Sequence, residues 1–207
     1  VKTLKSIINI DSKNKKYWEQ LANIYLVMDN EKEALATLES AYKHGLLTEE
    51  KEIIKIARLA IYVGTPIKAA QYLETSIEQK IVEASEKNLD LLADAYTAAK
   101  ENARAISILE KVTKVANSPK KYIKLGQIQL ASENWQKAKD AFEASLMHMN
   151  KEKTAATKKP LIMLSLGIAN FRLGKKDQAR NYFIKIKNDK KYGEQAKSWL
   201  TYTRKKN

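Results

Sequence analysis

Apolar side chains recur along this chain at the spacing of helix faces, in segments that come in pairs. The stripe of the first segment comprises Trp18, Leu21, Ala22 and Tyr25, and that of the second comprises Ala34, Leu38 and Ala41. Each stripe covers one side of a predicted helix, and polar residues cover the other side. The two segments together predict a helical hairpin.

The same order of small, alanine and large apolar positions returns five times. A small residue is followed twelve positions later by alanine, and four positions after that by leucine or phenylalanine. The small residues are Ala22, Ala57, Ala93, Gly126 and Gly167; the alanines are Ala34, Ala69, Ala105, Ala138 and Ala179; the large residues are Leu38, Leu73, Leu109, Phe142 and Phe183. Successive small residues are 35, 36, 33 and 41 positions apart. A period of about 34 residues predicts a stack of helical hairpins.

Residues that end and begin helices fall between the apolar stripes. Gly64, Thr65 and Pro66 form one such boundary, in which glycine ends a helix, threonine caps the next and proline starts it. The other predicted boundaries are helix ends at Gly45 and Gly174, N-caps at Asn30, Thr48, Ser118 and Asp177, and prolines opening repeats at Pro119 and Pro160.

The pattern W-x2-L-A-x2-Y followed by A-x3-L-x2-A, from Trp18 to Ala41, resembles a tetratricopeptide repeat. Five copies carry the resemblance over residues 15 to about 191. The resemblance implies an all-α fold, a right-handed superhelical stack of helix–turn–helix repeats closed by a C-terminal capping helix. The repeats are expected at 15–49, 50–85, 86–118, 119–152 and 160–191, with the capping helix at 192–207.

Residues 1–14 resemble the second helix of an upstream repeat, so we expect the chain to be a fragment of a longer protein. The extra residues 150–159 before the fifth repeat predict a basic loop or an extended helix. The chain has no cysteine, which excludes disulfides but leaves both the cytoplasm and the periplasm open.

The net charge of +14 is concentrated in the last two fifths of the chain. Residues 119–159 hold nine basic and four acidic side chains, and residues 160–207 hold twelve and three. Two interpretations remain open: a polar outer face that keeps the end of the array soluble, or a surface for nucleic acid or an anionic membrane. The second interpretation would use Lys151, Lys153, Lys158, Lys159, Lys175, Lys176, Lys190 and Lys191. The lysines lack interleaved aromatic residues, which argues against nucleic acid.

In the tetratricopeptide family the first helix of each repeat lines the concave face, where partners bind. The positions that this resemblance places on that face include Asn23, Arg58, Asp90, Asp94, Gln127, Leu130, Leu164, Ile168 and Phe171. The lining is polar at first and apolar later, which would suit an extended or helical peptide followed by an apolar segment. The alternative is that several of these side chains pack on a neighbouring repeat or on the closing helix.

Nothing in the sequence indicates catalysis, a cofactor or a bound metal. Asp90 and Asp94 lie one turn apart, but no third ligand accompanies them on that helix. His44 and His148 stand near predicted helix ends, outside any metal-binding or catalytic-triad spacing. We therefore expect no enzyme activity.

The sequence thus favours a protein-interaction scaffold with a peptide or protein ligand. The stretches around 10–25 and 87–93 are also similar to bacterial tetratricopeptide proteins found with TonB/ExbB/ExbD-type energy-transduction systems. That resemblance implies the periplasm, an envelope transport complex, and membrane association through an upstream region or a partner. The partner and the oligomeric state are left open.

Overall fold

The computed structural model describes residues 1–149 and 155–204, and within these ranges the chain is all-α, with twelve helices and no strand. The helices are α1 (Lys2–Ile10), α2 (Lys15–Val27), α3 (Glu31–Lys43), α4 (Glu50–Tyr62), α5 (Pro66–Glu78), α6 (Glu86–Ala98), α7 (Asn102–Val115), α8 (Pro119–Ala131), α9 (Trp135–Met149), α10 (Ala155–Arg172), α11 (Lys176–Ile186) and α12 (Gly193–Arg204). Within α1 to α6 and within α7 to α12, consecutive helices pack on one another, as in a helical-repeat solenoid.

The chain forms two compact units, Val1–Glu101 and Asn102–Asn207. Unit 1 contains α1 to α6, and unit 2 contains α7 to α12. The boundary falls inside the predicted third repeat, between its two helices.

The core of unit 1 follows the apolar stripes of the sequence. Ala22, Ala34, Ala57 and Ala69 are fully buried, since short side chains allow two helix backbones to approach closely. Leu21, Tyr25 and Ile8 fill the space between α1, α2 and α3. Helix α1 is thus packed into the core of unit 1.

The core of unit 2 joins three consecutive helices through phenylalanine rings. Phe142 of α9 is fully buried and clusters with Ile123 of α8 and with Ile162 and Leu166 of α10. The ring of Phe142 lies against Gly126, where an added Cβ would approach ring carbons to between 2.8 and 3.0 Å. A glycine opposite a phenylalanine thus replaces the pairing of alanine and leucine found earlier in the chain.

Helix α12 closes unit 2 with an aromatic cluster. The ring of Trp199 stacks on Phe183 of α11 at 5.9 Å between centroids and meets Phe171 of α10 edge-on at 5.3 Å. Ala196 of α12 is fully buried in the same cluster. The helix therefore covers apolar surface of both α10 and α11.

Most predicted helix boundaries are confirmed. Asn30 and Ser118 are N-caps, and the backbone N–H of Glu33 donates to the Asn30 side chain at 3.4 Å. Pro66 and Pro119 start α5 and α8. Gly45 and Gly174 have φ of +70° and +77°, the left-handed conformation in which glycine ends a helix.

Three predicted boundaries are wrong. The cap of α4 is Glu49, one residue after Thr48, and the cap of α11 is Lys175, two residues before Asp177. Pro160 lies inside α10, which begins at Ala155. Of the insertion at 150–159, residues 155–159 extend this helix, and residues 150–154 lie outside the described residues.

Candidate functional site

We call the first helix of each hairpin helix A; these are α2, α4 and α6 in unit 1 and α8 and α10 in unit 2. In unit 1, ion pairs join neighbouring A helices. The Lys15 ammonium of α2 lies 2.6 Å from the Glu52 carboxylate and 3.4 Å from that of Glu49. Hydrogen bonding to Glu52 raises the pKa of Lys15. Glu52 is buried, and its other carboxylate oxygen accepts the backbone N–H groups of Thr48 and Glu49.

A second connection holds α4 to α6. One oxygen of Glu50 accepts from the side-chain amide of buried Asn88 at 3.1 Å, and the other accepts the backbone N–H of Glu83 at 2.9 Å. The hydrogen bond from the Glu83 backbone is the main cause that lowers the pKa of the Glu50 carboxyl. The hydrogen bond from Asn88 and the positive charge of Lys87 lower it further. Both oxygens of this carboxylate are therefore engaged by the fold itself.

A cleft of about 600 Å³ opens beside this connection, between α4 and α6. We call it the basic cleft, because Lys51, Lys55, Arg58 and Lys87 line it, together with Ile54, Glu50 and Asn88. Lys51 pairs with Glu49 at 2.8 Å, and Lys55 donates to the Asn23 side chain at 3.0 Å. Among the described residues, neither Arg58 nor Lys87 has a hydrogen-bonded or ion-paired partner. The cleft thus presents positive charge that the fold does not neutralise.

Of the predicted partner-binding residues of unit 1, Arg58 lines this cleft, and Asn23 is hydrogen-bonded to Lys55 of its lining. Asn23 and Arg58 are both exposed, and Lys55, which binds Asn23, lies one turn before Arg58 on α4. Asp94 is exposed and Asp90 is half-buried on α6, and both take part in polar interactions. These two aspartates do not line the basic cleft.

In unit 2, most of the predicted apolar lining packs within the unit. Leu164 is buried with 6% exposure, and Ile168 and Phe171 pack half-buried in the same cluster as α12. Leu130 packs half-buried against the Phe142 cluster, whereas Gln127 is exposed. Ile168 and Phe171, which the sequence predicted to contact a partner, therefore pack in the cluster that contains the closing helix α12.

The predicted basic surface is divided between the two ends of the α10–α11 hairpin. Exposed Lys158 and Lys159 lie in the first turns of α10, whereas Lys175 and half-buried Lys176 lie where α11 begins. These ends are about 20 Å apart along the axis of α10. Lys190 and Lys191 follow the end of α11, which returns toward the start of α10, and Lys151 and Lys153 lie outside the described residues.

Three residues that line the basic cleft, Lys51, Lys55 and Lys87, were not predicted from the sequence as partner-binding residues. A signal for two of them was present, since Lys51, Lys55 and Arg58 are spaced i, i+4 and i+7 and so share one face of a helix. Lys87 joins them only through the packing of α6 beside α4, which spacing along one helix does not reveal.

Two structural features are absent from residues 1–149 and 155–204. No helix there is long and apolar enough to cross a membrane. No group of three or more histidine, cysteine, aspartate or glutamate side chains is placed there to hold a metal ion.

Comparison with protein-family profiles and with curated protein sequences gives no match. Solved structures do match. The structure of a MamA protein is 18% identical, with a TM-score of 0.65 over 86% of this chain and 93% of that one. YrrB, described as a TPR protein with an unusual peptide-binding site, is 12% identical, with a TM-score of 0.65 over 94% and 97% of the two chains.

A third similar structure is that of Naa15/Naa10 bound to HypK-THB. It is 16% identical, with a TM-score of 0.77 over 99% of this chain and 31% of that one. Identities this low establish a shared fold rather than a shared ligand. The described residues therefore have the all-α repeat fold of tetratricopeptide proteins.

Proposed function

We propose that this chain is a non-catalytic scaffold that binds a peptide or helical segment of another protein on the helix-A surface of unit 1. The observation that carries the proposal is the basic cleft, in which Arg58 and Lys87 face a volume of about 600 Å³ without a hydrogen-bonded or ion-paired partner among the described residues. Ligand-binding clefts typically combine such unpaired polar groups with apolar surface, here supplied by Ile54.

The packing of unit 2 supports the choice of unit 1. Ile168 and Phe171 contact the closing helix, so binding a partner there would first require displacing Trp199 and its neighbours. The helix-A surface of unit 1 needs no such rearrangement, because Asn23, Arg58 and Asp94 are already exposed.

The similar structures support a protein or peptide as the class of ligand. YrrB is described as having a peptide-binding site, and the Naa15/Naa10 structure contains bound HypK-THB. Both structures share the helical-repeat fold with this chain, and repeat folds of this type present extended surfaces to which other chains bind.

Site-specific crosslinking tests the proposal. A photoreactive amino acid at Asn23 or Asp94 lies on the helix-A surface, whereas the same group at exposed Gln71 lies on α5, a second helix of a hairpin. We expect one discrete protein to crosslink from the first two positions and not from Gln71. Equal crosslinking from all three positions, or from Gln71 alone, would contradict a helix-A binding site.

The second candidate function is electrostatic binding of nucleic acid or an anionic membrane by the C-terminal lysines. The charge excess favours it, but the lysines are divided between two ends of a hairpin. Titration with DNA and with anionic vesicles at two salt concentrations tests it, since such binding weakens steeply with salt. Absence of binding at low salt would eliminate this candidate.

For location we propose the periplasm and an envelope transport complex, on the resemblance to proteins found with TonB/ExbB/ExbD-type systems. The cytoplasm is the alternative. Fractionation of cells that express the full-length gene product tests the compartment, and recovery of the protein with cytoplasmic markers alone would overturn the proposal.

A further inference from the structure

The charge and shape of the basic cleft specify the chemistry of a partner. We propose that the cleft binds an extended acidic segment of another protein, in which two glutamate or aspartate side chains flank an apolar one. This inference rests on the proposed function and adds the class of ligand. It follows from how the cations, the one carboxylate and the apolar side chain are arranged.

Among the described residues that line the cleft, Glu50 is the one carboxylate, and it forms no ion pair with Arg58 or Lys87. Both oxygens of Glu50 accept hydrogen bonds, from Asn88 and from the Glu83 backbone, so the group serves to join α4 to α6. Arg58 and Lys87 keep their hydrogen-bond donors free among the described residues, while Lys51 and Lys55 are held by groups outside the cleft. An incoming carboxylate therefore supplies the missing charge complement.

The spacing on α4 selects an extended ligand. Lys51 and Arg58 are seven residues apart on one helix face, which places them about 10 Å apart along the axis. The ion pair of Lys51 with Glu49 is exposed, so a carboxylate of the ligand can replace Glu49 there. In an extended chain residues i, i+2 and i+4 share one face and span about 13 Å, so carboxylates at positions i and i+4 reach these two cations through their flexible side chains. Half-buried Ile54 lies between the cations in sequence and contacts the apolar side chain between the two acids.

The acidic side chains of the ligand, rather than its C-terminal carboxylate, are the recognised groups. Exposed cations on a helix face form several weak pairs, each changing affinity only a few-fold, so recognition depends on a segment that carries more than one carboxylate. The arrangement of lysines along α4 offers such repeated contacts.

A fluorescence-anisotropy titration of the whole chain tests the inference. The probe is a labelled peptide with blocked ends, in which glutamates at i and i+4 flank a leucine at i+2. Matched probes replace both glutamates with glutamine or with lysine. We expect the glutamate peptide to bind saturably. The affinity of the other two peptides should be lower by about tenfold or more.

Variants then assign the binding to the cleft. Arg58→Glu and Lys87→Glu should each weaken binding of the glutamate peptide by about tenfold, because reversal of charge turns attraction into repulsion. Lys32→Glu makes the same change in net charge at an exposed position of α3 and should leave the affinity within about twofold. Circular dichroism of each variant confirms that the helices are intact.

Three results would overturn the inference: equal binding of the glutamine peptide, equal weakening by Lys32→Glu, or tighter binding of a single-stranded oligonucleotide that displaces the peptide at physiological salt. The crosslinking from Asn23 and Asp94 separates this failure from that of the scaffold function. Crosslinking that persists without acidic-peptide binding would show a protein ligand of different chemistry, whereas loss of both would remove the scaffold function as well.

Discussion

The ring of Phe183 of α11 lies against the backbone of Gly167 of α10 and occupies the space that a side chain at position 167 would need. A Cβ built on Gly167 would come within 2.7 Å of three ring carbons. Gly126 and Phe142 repeat the arrangement one hairpin earlier in unit 2. In each pair the large ring fills the space that the missing side chain leaves, so the two residues are coupled in size.

The coupling predicts a non-additive pair of substitutions. Gly167→Ala should lower the unfolding free energy by about 1–3 kcal/mol, because the methyl group overlaps a fully buried ring. Phe183→Leu alone should lower it by roughly 1–3 kcal/mol, because it leaves a cavity. The double variant should lose less than the sum of the two, since the shorter leucine makes room for the alanine.

Chemical denaturation followed by circular dichroism measures this cycle. Gly174→Ala is a useful comparison, since Gly174 has open space around its Cα and would destabilise the chain only through its left-handed backbone conformation. Phe183→Leu should therefore not rescue Gly174→Ala. Additive losses for Gly167→Ala and Phe183→Leu would show that the cost of the added methyl group does not depend on the size of the side chain at position 183.

The pairing of Gly167 with Phe183 illustrates what the sequence could predict about the fold. The spacing of small and large apolar residues identified helical hairpins, because the 3.6-residue period and the close approach of helices are both local requirements. The cap of α4 was misassigned by one residue because the Glu52 side chain accepts from the backbone N–H groups of both Thr48 and Glu49, and the capping box forms with Glu49. The partner of Glu52 on the preceding hairpin, Lys15, leaves no signal in the spacing of neighbouring residues.

The ion pair of α2 with α4 predicts an unequal effect of its two members. Glu52→Ala should lower the unfolding free energy by about 1–3 kcal/mol, because two backbone N–H groups at the start of α4 lose their acceptor. Lys15→Ala should lower it by less than Glu52→Ala does, because the Lys15 ammonium is partly exposed. Thermal and urea unfolding of the two variants measure the difference, and a larger loss for Lys15→Ala would contradict this reading of Glu52.

The lowered pKa of Glu50 leads us to expect that the stability of the chain depends on pH. Its pKa in the folded chain is lowered from the ordinary value of 4.5, so the stability it contributes is present above that value and is lost as the pH falls through the folded pKa. In the Glu50→Gln variant the unfolding free energy should therefore fall less steeply below pH 4.5 than in the wild type.

Urea unfolding at a series of pH values between neutrality and the acid range measures this slope. Glu78→Gln removes an exposed carboxylate of α5 and should reproduce the wild-type slope. Identical slopes for the wild type and Glu50→Gln would show that the bonds from Glu83 and Asn88 do not favour the charged form.

The candidate site was less predictable than the fold. Asn23 and Arg58 were identified from their register on the first helix of each hairpin; Arg58 lines the basic cleft, and Asn23 accepts a hydrogen bond from Lys55 of its lining. Whether they bind a partner stays a prediction. The apolar lining was harder to interpret, because Ile168 and Phe171 would look the same in sequence whether a partner or α12 covered them. Only the position of α12 decides that question.

The closing helix predicts that Trp199 protects apolar surface of unit 2. Trp199→Ala should lower the unfolding free energy by roughly 2–4 kcal/mol, because the indole packs on both Phe171 and Phe183. Tyr202→Ala removes a ring that is 54% exposed and contacts Trp199, and should cost about 1 kcal/mol or less. Amide hydrogen exchange should show faster exchange in α12 and in the second half of α10 for Trp199→Ala than for Tyr202→Ala. Unchanged exchange in α10 would mean that α12 rests on the surface without stabilising it, and Ile168 and Phe171 would then become available to a partner at little cost.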